Sequence, residues 1–405
     1  MKADRTNNTF NVLVLLFEET QNTIQQQTTR AVNSALVVRN WLFGWYITEF
    51  EKKSDDRSEI YGQQLILKLS KKLTTKLGKG FSRRSLDQFR QFYEQYQKIG
   101  QTLFAKSSPE LKIAIKQLMD ITTEETQLKA AAKKRQTLSA KSYSKTPQTI
   151  LEKFNISKIS QTLSQQLTLS WSHYLFLISI ENQEERKFYE IEAAKEGWSL
   201  RELKRQFNSG LYERLALSRD KTGVKQLSEK GQVVERHNDV VKDPYILEFL
   251  GLDEKSQYSE TELETAIINK LEHFLLELGK GFLFEARQKR FTFDEEHFFV
   301  DLVFYNRILR CYVLIDLKIG ELKHQDLGQM QMYVNYFDRY VKLEDEHPTI
   351  GIVLCKKKKD SLVKITLPKD TNIKAAKYQT CLPDKKLLKQ QLEQAQAEWE
   401  AHHLK

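Results

Sequence analysis

Two acidic residues and one lysine stand where a strand pattern calls for apolar side chains. Asp301 begins one apolar run, and Asp316 and Lys318 end the next one. Because strand side chains alternate between two faces, Asp316 and Lys318 are expected on one face while Ile315 and Leu317 point to the other. Two carboxylates and an ammonium group are therefore predicted to converge at a sheet edge. Burying such groups is costly unless they are paired or coordinate a cation.

A divalent metal ion is one reason to place these residues together. Mg²⁺ favours one or two carboxylates, a backbone carbonyl and several waters, so Asp301, Asp316 and the carbonyl of Leu317 could bind it, with Mn²⁺ as a substitute. The ion would polarise a phosphodiester, and Lys318 could orient the attacking water or offset charge on phosphorus. This chemistry predicts hydrolysis of a nucleic-acid backbone. The alternative is a salt bridge at the rim of an ordinary sheet, since an Asp-x-Lys triplet is frequent by chance.

The C-terminal half supplies the elements that must position these residues. An amphipathic helix is predicted over residues 260–278, followed by strands over residues 282–293, 298–305 and 310–318. A helix over residues 325–339 and a buried strand over residues 349–355 complete the pattern. The order helix, three strands, helix, strand is typical of an α/β domain with a mixed sheet.

The N-terminal half has a helical pattern almost throughout. The clearest helices are predicted over residues 10–47, 61–77, 85–97, 159–180, 184–195 and 200–217. Ser82 and Ser85 precede one apolar run, and Ser199 precedes another, as helix-capping residues do. Short helices joined by tight turns are typical of helix-turn-helix and winged-helix units. A helical core or oligomerisation domain explains the same pattern and is slightly favoured by the pattern alone.

Changes in composition predict the domain boundaries. The chain turns polar and loses periodicity over residues 223–243, which predicts a linker between a helical domain at residues 1–222 and a second domain at residues 244–405. Residues 126–151 carry six basic residues and no acidic one. This stretch is expected to be a mobile linker or loop that would attract phosphates if it faced them.

Length and composition bound the protein class. The chain has 405 residues, more than one compact core usually fills, so two domains are expected. Its 64 Lys and Arg against 54 Asp and Glu give a net charge of +10, which favours nucleic acid only weakly. Three cysteines without metal-ligand spacing predict neither a disulfide framework nor a zinc site and favour a reducing cytoplasm. No apolar run is long enough to predict a membrane span.

Other candidate sites carry less chemistry. The Gly-Lys-Gly turns at residues 78–80 and 279–281 lack the spacing of a phosphate-binding loop and are predicted to end helices. His324 could contact phosphate, but helix capping is the favoured role. The four-lysine run at residues 356–359 fits a solvated turn and a DNA-backbone contact equally well.

The catalytic candidates resemble the PD-(D/E)xK nuclease superfamily. Asp301 lies fifteen residues before Asp316 across a hairpin, and the next helix carries Gln329 and Tyr333 four apart, as in the exonuclease-like branch with a Gln-x-x-x-Tyr helix. Residues four apart share a helix face, so both could meet the phosphate. The chain departs from the pattern twice, with Val300 in place of the proline before the first acid and an Asp in place of the commoner second Glu.

This resemblance implies further site residues. Gln288 would lie on the strand that precedes Asp301. In this superfamily a glutamate of the first helix often assists the metal. Glu264, Glu272 and Glu277 all lie on the corresponding predicted helix, and the sequence does not choose among them.

The chain is also similar to the bacterial YhcG-type nucleases over most of its length. The segments that carry the likeness are residues 274–282, 301–306, 315–318 and 324–336, and in the N-terminal half residues 33–45, 61–62, 69–70, 80–82, 169–174 and 198–199. The resemblance implies a cytoplasmic, Mg²⁺-dependent DNase with a restriction-endonuclease-like fold. Such proteins are sometimes encoded near restriction, defence or mobile-element genes.

The sequence thus predicts an α+β protein of two domains. A mainly α-helical N-terminal domain, winged-helix-like in one interpretation, would bind DNA or a partner protein. A C-terminal α/β PD-(D/E)xK domain with a mixed central sheet would cut DNA. Its catalytic candidates are Asp301, Asp316, Lys318, Gln329, Tyr333 and Gln288, and its metal ligands Asp301, Asp316 and Leu317.

Two other functions fit the same features. The chain could be a catalytically silent DNA-binding protein, or a structural subunit of a restriction or defence complex. A long amphipathic helix near the N-terminus allows a homodimer, and no membrane partner is expected.

Overall fold

The computed structural model describes residues 13–15, 17–18, 20–21, 32–53, 59–99, 163–217, 221–252, 258–368 and 371–403. The chain forms two compact units, Met1–Glu181 (unit 1) and Asn182–Lys405 (unit 2). The basic stretch at residues 126–151 lies outside the described residues, as does much of the first half of the helix predicted over residues 10–47.

Unit 1 is built from helices in its described part. They are α1 (Val32–Lys53), α2 (Glu59–Leu77), α3 (Arg83–Gln95) and α4 (Trp171–Leu177). The helix predicted over residues 159–180 is interrupted, because residues 167–170 are not helical. No strand occurs among the residues of unit 1 that the structure describes, so nothing in them corresponds to the wing of a winged helix.

In unit 1, one glycine allows two helices to pack closely, and one serine caps a helix. Gly44 of α1 faces α3, where an added Cβ atom would lie 1.9 Å from the carbonyl oxygen of Phe89. A larger residue at this position would therefore push the two helices apart. The backbone N–H of Ser85 donates to Ser82 Oγ at 3.1 Å, so Ser82 caps α3 as the sequence predicts.

Unit 2 opens with four helices: α5 (Gln183–Glu196), α6 (Leu200–Asn208), α7 (Leu211–Leu217) and α8 (Lys221–Lys230). The single helix predicted over residues 200–217 is wrong, because the chain turns at Gly210, whose φ of +65° is a left-handed conformation. Residues 223–243, the predicted linker, lie inside unit 2 and include most of α8 and a short 3₁₀ turn at His237–Val240. The domain boundary at that linker stays a prediction.

A six-stranded mixed sheet forms the centre of unit 2. Its strands are β1 (Tyr245–Ile246), β2 (Phe282–Phe293), β3 (Glu296–Asn306), β4 (Cys311–Glu321), β5 (Ile350–Lys357) and β6 (Ile373–Gln379), in the spatial order β1-β6-β5-β4-β3-β2. The pairs among β2, β3 and β4 are antiparallel, and those linking β4, β5, β6 and β1 are parallel. The predicted mixed sheet is confirmed, with β1 and β6 as additional strands.

The remaining helices are α9 (Glu260–Asn269), α10 (Leu271–Leu278), α11 (His324–Tyr340), α12 (Asp360–Thr366) and α13 (Lys385–His403). The single helix predicted over residues 260–278 is wrong in one respect. Lys270, with φ −124° and ψ 30°, leaves the helical conformation and separates α9 from α10.

Helices cover both faces of the sheet. On one face, Phe274 of α10 shares a buried cluster with Ile315 of β4. On the other, Met330 of α11 shares a second cluster with Leu314 of β4. Gly351 of β5 lets α11 lie close to the sheet, since an added Cβ atom would lie 2.6 Å from Met330 Cγ. Adjacent residues of β4 therefore point into opposite layers, as strand alternation requires.

A buried network of charges ties the first helices of unit 2 to the sheet. Arg214 Nη1 of α7 lies 2.8 Å from Glu277 Oε1 of α10, and the backbone N–H of Ile246 donates to the same oxygen at 3.0 Å. Burial alone would raise the pKa of Glu277, but Arg214, Lys242 and Arg205 outweigh it and lower the pKa to about 2. The carboxylate thus stabilises the fold above the pH at which an unfolded glutamate titrates, and loses this effect as pH falls toward about 2.

We expect Glu277→Gln to lower the free energy of unfolding by about 3–5 kcal/mol, because breaking a buried ion pair leaves the partner cations without a compensating charge. Urea denaturation at pH 7, followed by circular dichroism, measures the change. Glu272→Gln, at an exposed position of the same helix, is the matched control and should change stability by less than about 0.5 kcal/mol. Similar effects of the two substitutions would contradict a stabilising role for the network.

Candidate active site

The carboxylate of Asp301 reaches across to β4 where the pairing of β3 and β4 ends. The last paired residues at this end are Leu302 and Ile315. Just beyond them, the backbone N–H of Leu317 donates to Asp301 Oδ2 at 2.8 Å. The side chain of Asp301 therefore lies next to the segment that carries Asp316.

Asp316 and Lys318 share one face of β4. Lys318 Nζ lies 2.7 Å from Asp316 Oδ2. Ile315 precedes this pair and Leu317 lies between its two members. Both are fully buried in the hydrophobic cluster on the opposite face of the sheet. The structure thus brings together Asp301, Asp316 and Lys318, the three residues on which the proposed chemistry depends.

The electrostatics of this group are unfavourable for two free carboxylates. Asp316 is 3% exposed, and its burial, together with the neighbouring charge of Asp301, raises its pKa to about 7, although Lys318 opposes this change. Burial acts to lower the pKa of Lys318, but Asp316 and Glu260 outweigh it, so the pKa of Lys318 is raised. The ammonium group of Lys318 therefore stays charged at neutral pH.

Gln288 bridges two carboxylates from different elements. Its Nε2 donates to Asp301 Oδ1 at 2.9 Å and to Glu264 Oε2 of α9 at 2.7 Å. Gln288 also has a φ of +46°, which is uncommon for a residue with a side chain. Strained backbone of this kind is often found at functional sites.

Glu264 is the one of the three candidate helix glutamates that contacts this group. It is buried, and besides Gln288 it accepts a hydrogen bond from Arg287 Nε. Glu277 instead belongs to the ion network with Arg214, and Glu272 is exposed. Both oxygens of Glu264 are thus engaged by side chains of β2.

Gln329 and Tyr333 project from α11, and Tyr333 lies near the carboxylates. Gln329 Nε2 donates to Tyr333 Oη. Burial raises the pKa of the Tyr333 hydroxyl, the hydrogen bond from Gln329 opposes this, and the charges of Asp316 and Asp301 add to the rise. Their influence indicates that the tyrosine hydroxyl and the two acids share one neighbourhood. The ring of Tyr333 packs edge-on against Phe291 of β2 at 5.5 Å.

The weaker candidates have other contacts. Lys323, not His324, occupies the cap position of α11, and its backbone N–H donates to Asp326 Oδ2 at 2.7 Å. In the lysine run, Lys358 pairs with Asp243, and Lys359 Nζ lies 2.9 Å from a carboxylate oxygen of Glu321. Lys356 and Lys357 belong to β5, so the predicted turn is reduced to Lys358 and Lys359, which both pair with acidic side chains.

Comparison with known proteins identifies both halves of the chain. Residues 238–393 match the family described as YhcG PDDEXK nuclease domain, and residues 17–140 and 127–214 match the DUF1016 N-terminal domain. A protein of Escherichia coli (strain K12), named "Putative nuclease YhcG", is 37% identical over 375 residues, which cover 92% of this chain and 90% of its own length. The chain belongs to the YhcG PDDEXK nuclease family.

One solved structure also aligns with this YhcG family member. It is the crystal structure of a repair endonuclease from Pyrococcus abyssi, with 17% sequence identity, a TM-score of 0.22, and coverage of 33% of this chain and 50% of that one. The predicted family and the predicted α+β fold, a helical N-terminal region and a PDDEXK domain with a mixed sheet, are confirmed by the family match and the topology. Among the described residues, no helix is long and apolar enough to cross a membrane.

PDDEXK nucleases generally use divalent metal ions, and the donors of this YhcG domain fit such an ion. Asp301 and Asp316 offer carboxylate oxygens with free lone pairs. Burial and the charge of Asp301 raise the pKa of Asp316, and a cation would relieve the repulsion between the two acids. In the described ranges, no group of three or more His, Cys, Asp or Glu side chains is arranged to hold a metal ion. A site with two carboxylates, a backbone carbonyl and water does not require such a group.

Sequence reasoning missed two contributors to the YhcG site. Arg287 holds Glu264, and Glu260 Oε2 of α9 lies 3.8 Å from Lys318 Nζ. The sequence gives one signal for Arg287, namely its position directly before the candidate Gln288. Glu260 begins a predicted helix, where an acidic residue is expected on helix-dipole grounds alone, so its position carried no distinguishing signal.

We expect the affinity of the metal-free protein for Mn²⁺ to fall about tenfold between pH 8 and pH 6, because Asp316 binds a competing proton in this range. Isothermal titration calorimetry at constant ionic strength measures the affinity. Asp316→Asn removes the titrating group and should leave a weak affinity with little pH dependence over the same range. A parent affinity that stays constant down to pH 5 would show that the pKa of Asp316 is not raised.

Proposed function

We propose that the protein is a divalent-metal-dependent deoxyribonuclease that hydrolyses phosphodiester bonds. The observation that carries the proposal is the convergence of Asp301, Asp316 and Lys318 at one point of the sheet, with the pKa of Asp316 raised by burial and by Asp301. Two acids in such repulsion are costly for the fold and useful for binding a cation. Membership of a PDDEXK nuclease family supports the same chemistry.

The metal would be Mg²⁺, with Mn²⁺ as a substitute, held by Asp301, Asp316 and the backbone carbonyl of Leu317. When bound, such an ion supplies Lewis acidity toward the phosphodiester and a water of lowered pKa. The contacts of Asp301 with the Leu317 N–H and with Gln288 fix the orientation of its carboxylate before any ion arrives. Preorganised ligands of this kind avoid the cost of rearrangement on binding.

Lys318 would act as a fixed positive charge. Its pKa is raised because Asp316 and Glu260 outweigh the effect of burial, so it cannot serve as a general base at neutral pH. A charged ammonium 2.7 Å from Asp316 is placed to orient the attacking water and to offset negative charge that develops on phosphorus. This role needs the charge and not a proton transfer.

The other site residues would position these three and the substrate. Gln288 and Glu264 link the strand that carries Asp301 to α9. Gln329 and Tyr333 lie together on α11, where they could contact the phosphate or its strand. Gln288, Glu264 and Arg287 form a continuous chain of hydrogen bonds that supports the metal ligands from one side.

DNA of foreign or mobile elements, cut in the cytoplasm, is the substrate that we propose. The net charge of +10 and the nuclease domain favour a nucleic acid, and the YhcG-type resemblance favours DNA and a role in defence. The helical domain at residues 1–222 would bind DNA or a protein subunit of a restriction or defence system. Self-association as a homodimer fits the same role.

We expect Asp301→Asn and Asp316→Asn each to lower the rate of DNA cleavage by about 10³, and Lys318→Met by about 10²–10³. Cleavage of linear, supercoiled, branched and single-stranded DNA, and of RNA, with Mg²⁺ or Mn²⁺ measures the rate. Asp345→Asn and Lys364→Met, at exposed positions, are the charge-matched controls and should cut like the parent. The proposal fails if the parent cuts none of the DNA substrates, or if Asp316→Asn cuts as well as the parent.

We expect Glu264→Gln to lower both cleavage and Mn²⁺ affinity by about 10–100-fold, since residues that support metal ligands have effects of this size. Glu272→Gln, on the same predicted helix but exposed, is the control and should have no effect on either quantity. Calorimetry measures the Mn²⁺ affinity independently of the cleavage rate. An equal loss in both variants would mean that the contact of Glu264 with Gln288 does not matter.

A further inference from the structure

Helices α2 and α3 of unit 1 carry a concentrated excess of positive charge. Between Glu59 and Asp87 there is no acidic residue, whereas seven basic residues occur: Lys68, Lys71, Lys72, Lys76, Lys79, Arg83 and Arg84. The whole chain has a net charge of +10, so a short segment holds an excess of seven. Charge of this density on a folded surface is a candidate polyanion-binding site.

The folding of α2 separates its cations from its apolar residues. Leu65, Leu69 and Leu73 are buried in the core of unit 1. Lys68 and Lys71 are exposed and occupy the outer side of the same helix, which continues to Lys76. At 1.5 Å per residue, the lysines from Lys68 to Lys76 form a stripe of about 12 Å along the helix.

The tight turn after α2 and the start of α3 carry further cations. Gly78 and Gly80 adopt φ values of +85° and +109°, and α3 begins three residues later at Arg83. Lys79, between the two glycines, is exposed, as is Arg84 in the first turn of α3. The N-terminus of a helix carries a partial positive charge and free N–H groups, so this end of α3 itself favours anions.

Several of these cations have no competing acidic partner. Lys76 Nζ lies 2.6 Å from Glu18 Oε1, and Arg83 lies at the longer distance of 3.9 Å from Asp87. Lys68, Lys71, Lys79 and Arg84 make no ion pair with another residue in the described part of the chain. Four exposed cations without acidic neighbours are available for an external polyanion.

We infer that this surface, formed by α2, the turn at residues 78–82 and the first turn of α3, binds the phosphate backbone of double-stranded DNA. In naming DNA, the inference rests on the proposed function. Duplex DNA presents about one negative charge per 1.7 Å of its axis, so the four exposed cations Lys68, Lys71, Lys79 and Arg84 can meet several phosphates. A helix, a short turn with two glycines and a second helix follow each other in the same order as in helix-turn-helix units, which dock on duplex DNA.

The same features disfavour an anionic membrane as the binding partner. An amphipathic helix that binds an anionic membrane must present apolar residues beside its cations. Over residues 64–77 of α2, where side chains are described, the leucines that face the core are buried and Leu67 is exposed. Duplex RNA carries the same backbone charge, so the choice of DNA over RNA comes from the proposed function, and the binding test compares the two. The DNA contact would hold the substrate without reading its sequence, because phosphate contacts carry no base information.

The test measures binding without cleavage. Full-length protein in EDTA is titrated against a fluorescent DNA duplex of about three helical turns, by anisotropy at several salt concentrations. The variant Lys68→Gln/Lys71→Gln/Lys79→Gln/Arg84→Gln is compared with Lys187→Gln/Arg201→Gln/Lys225→Gln/Lys364→Gln. The second set consists of exposed cations of unit 2, and each set lowers the net charge equally, from +10 to +6.

We expect the first variant to bind about tenfold or more weakly, with a slope of log Kd against log salt reduced by about 3–4. The unit 2 variant should keep the slope of the parent. Circular dichroism and a thermal melt check the fold. If the first variant melts early, the pairs Lys68→Gln/Lys71→Gln and Lys79→Gln/Arg84→Gln are measured instead, each with about half of the slope change.

Three results would overturn the inference. These are an unchanged slope in a folded first variant, an equal change in both variants, and tighter binding of the parent to duplex RNA or phosphatidylserine vesicles than to duplex DNA. A cleavage assay with Mg²⁺ separates this inference from the proposed function. If the parent binds as expected but cuts nothing, the function fails and the surface stands. If the parent cuts and the first variant binds and cuts equally well, the surface fails and the function stands.

Discussion

The repulsion between the buried carboxylate of Asp316 and the half-buried carboxylate of Asp301 is the constraint around which the candidate site is organised. Asp316 is buried, and its pKa is raised by burial and by the charge of Asp301, while the ammonium group of Lys318 opposes this rise. Such a pair is stable only because the neighbouring elements hold it in place. β4 gives a backbone N–H to Asp301, β2 gives Gln288, and α9 gives Glu264 to hold Gln288.

Strand alternation made the centre of the site predictable from the sequence. It placed Asp316 and Lys318 on one face of β4, where the structure finds their charged atoms 2.7 Å apart. The spacing of Gln329 and Tyr333 likewise predicted a shared helix face, and the two side chains are hydrogen bonded. These features depend on local geometry, which a single chain segment determines.

The features that could not be predicted depend on contacts between distant segments. A continuous helix turns by about 100° per residue, so the break at Lys270 changes which glutamates share a face, and the choice of Glu264 over Glu272 and Glu277 could not be calculated. β6 escaped detection because two lysines interrupt its short apolar run. The left-handed backbone of Gln288 is supported by carboxylates from α9 and β3, and the sequence around it gives no sign of either.

The ion network around Glu277 determines where the nuclease half can be separated from the rest of the chain. Arg214 lies before the residues that match the nuclease family, which begin at residue 238, and Glu277 lies within them. A gene fusion or domain exchange made at residue 238 would separate the buried carboxylate of Glu277 from the guanidinium group of Arg214. A fragment that keeps this ion pair must therefore begin before Arg214, and a start at Asn182, the first residue of the second compact unit, meets that requirement.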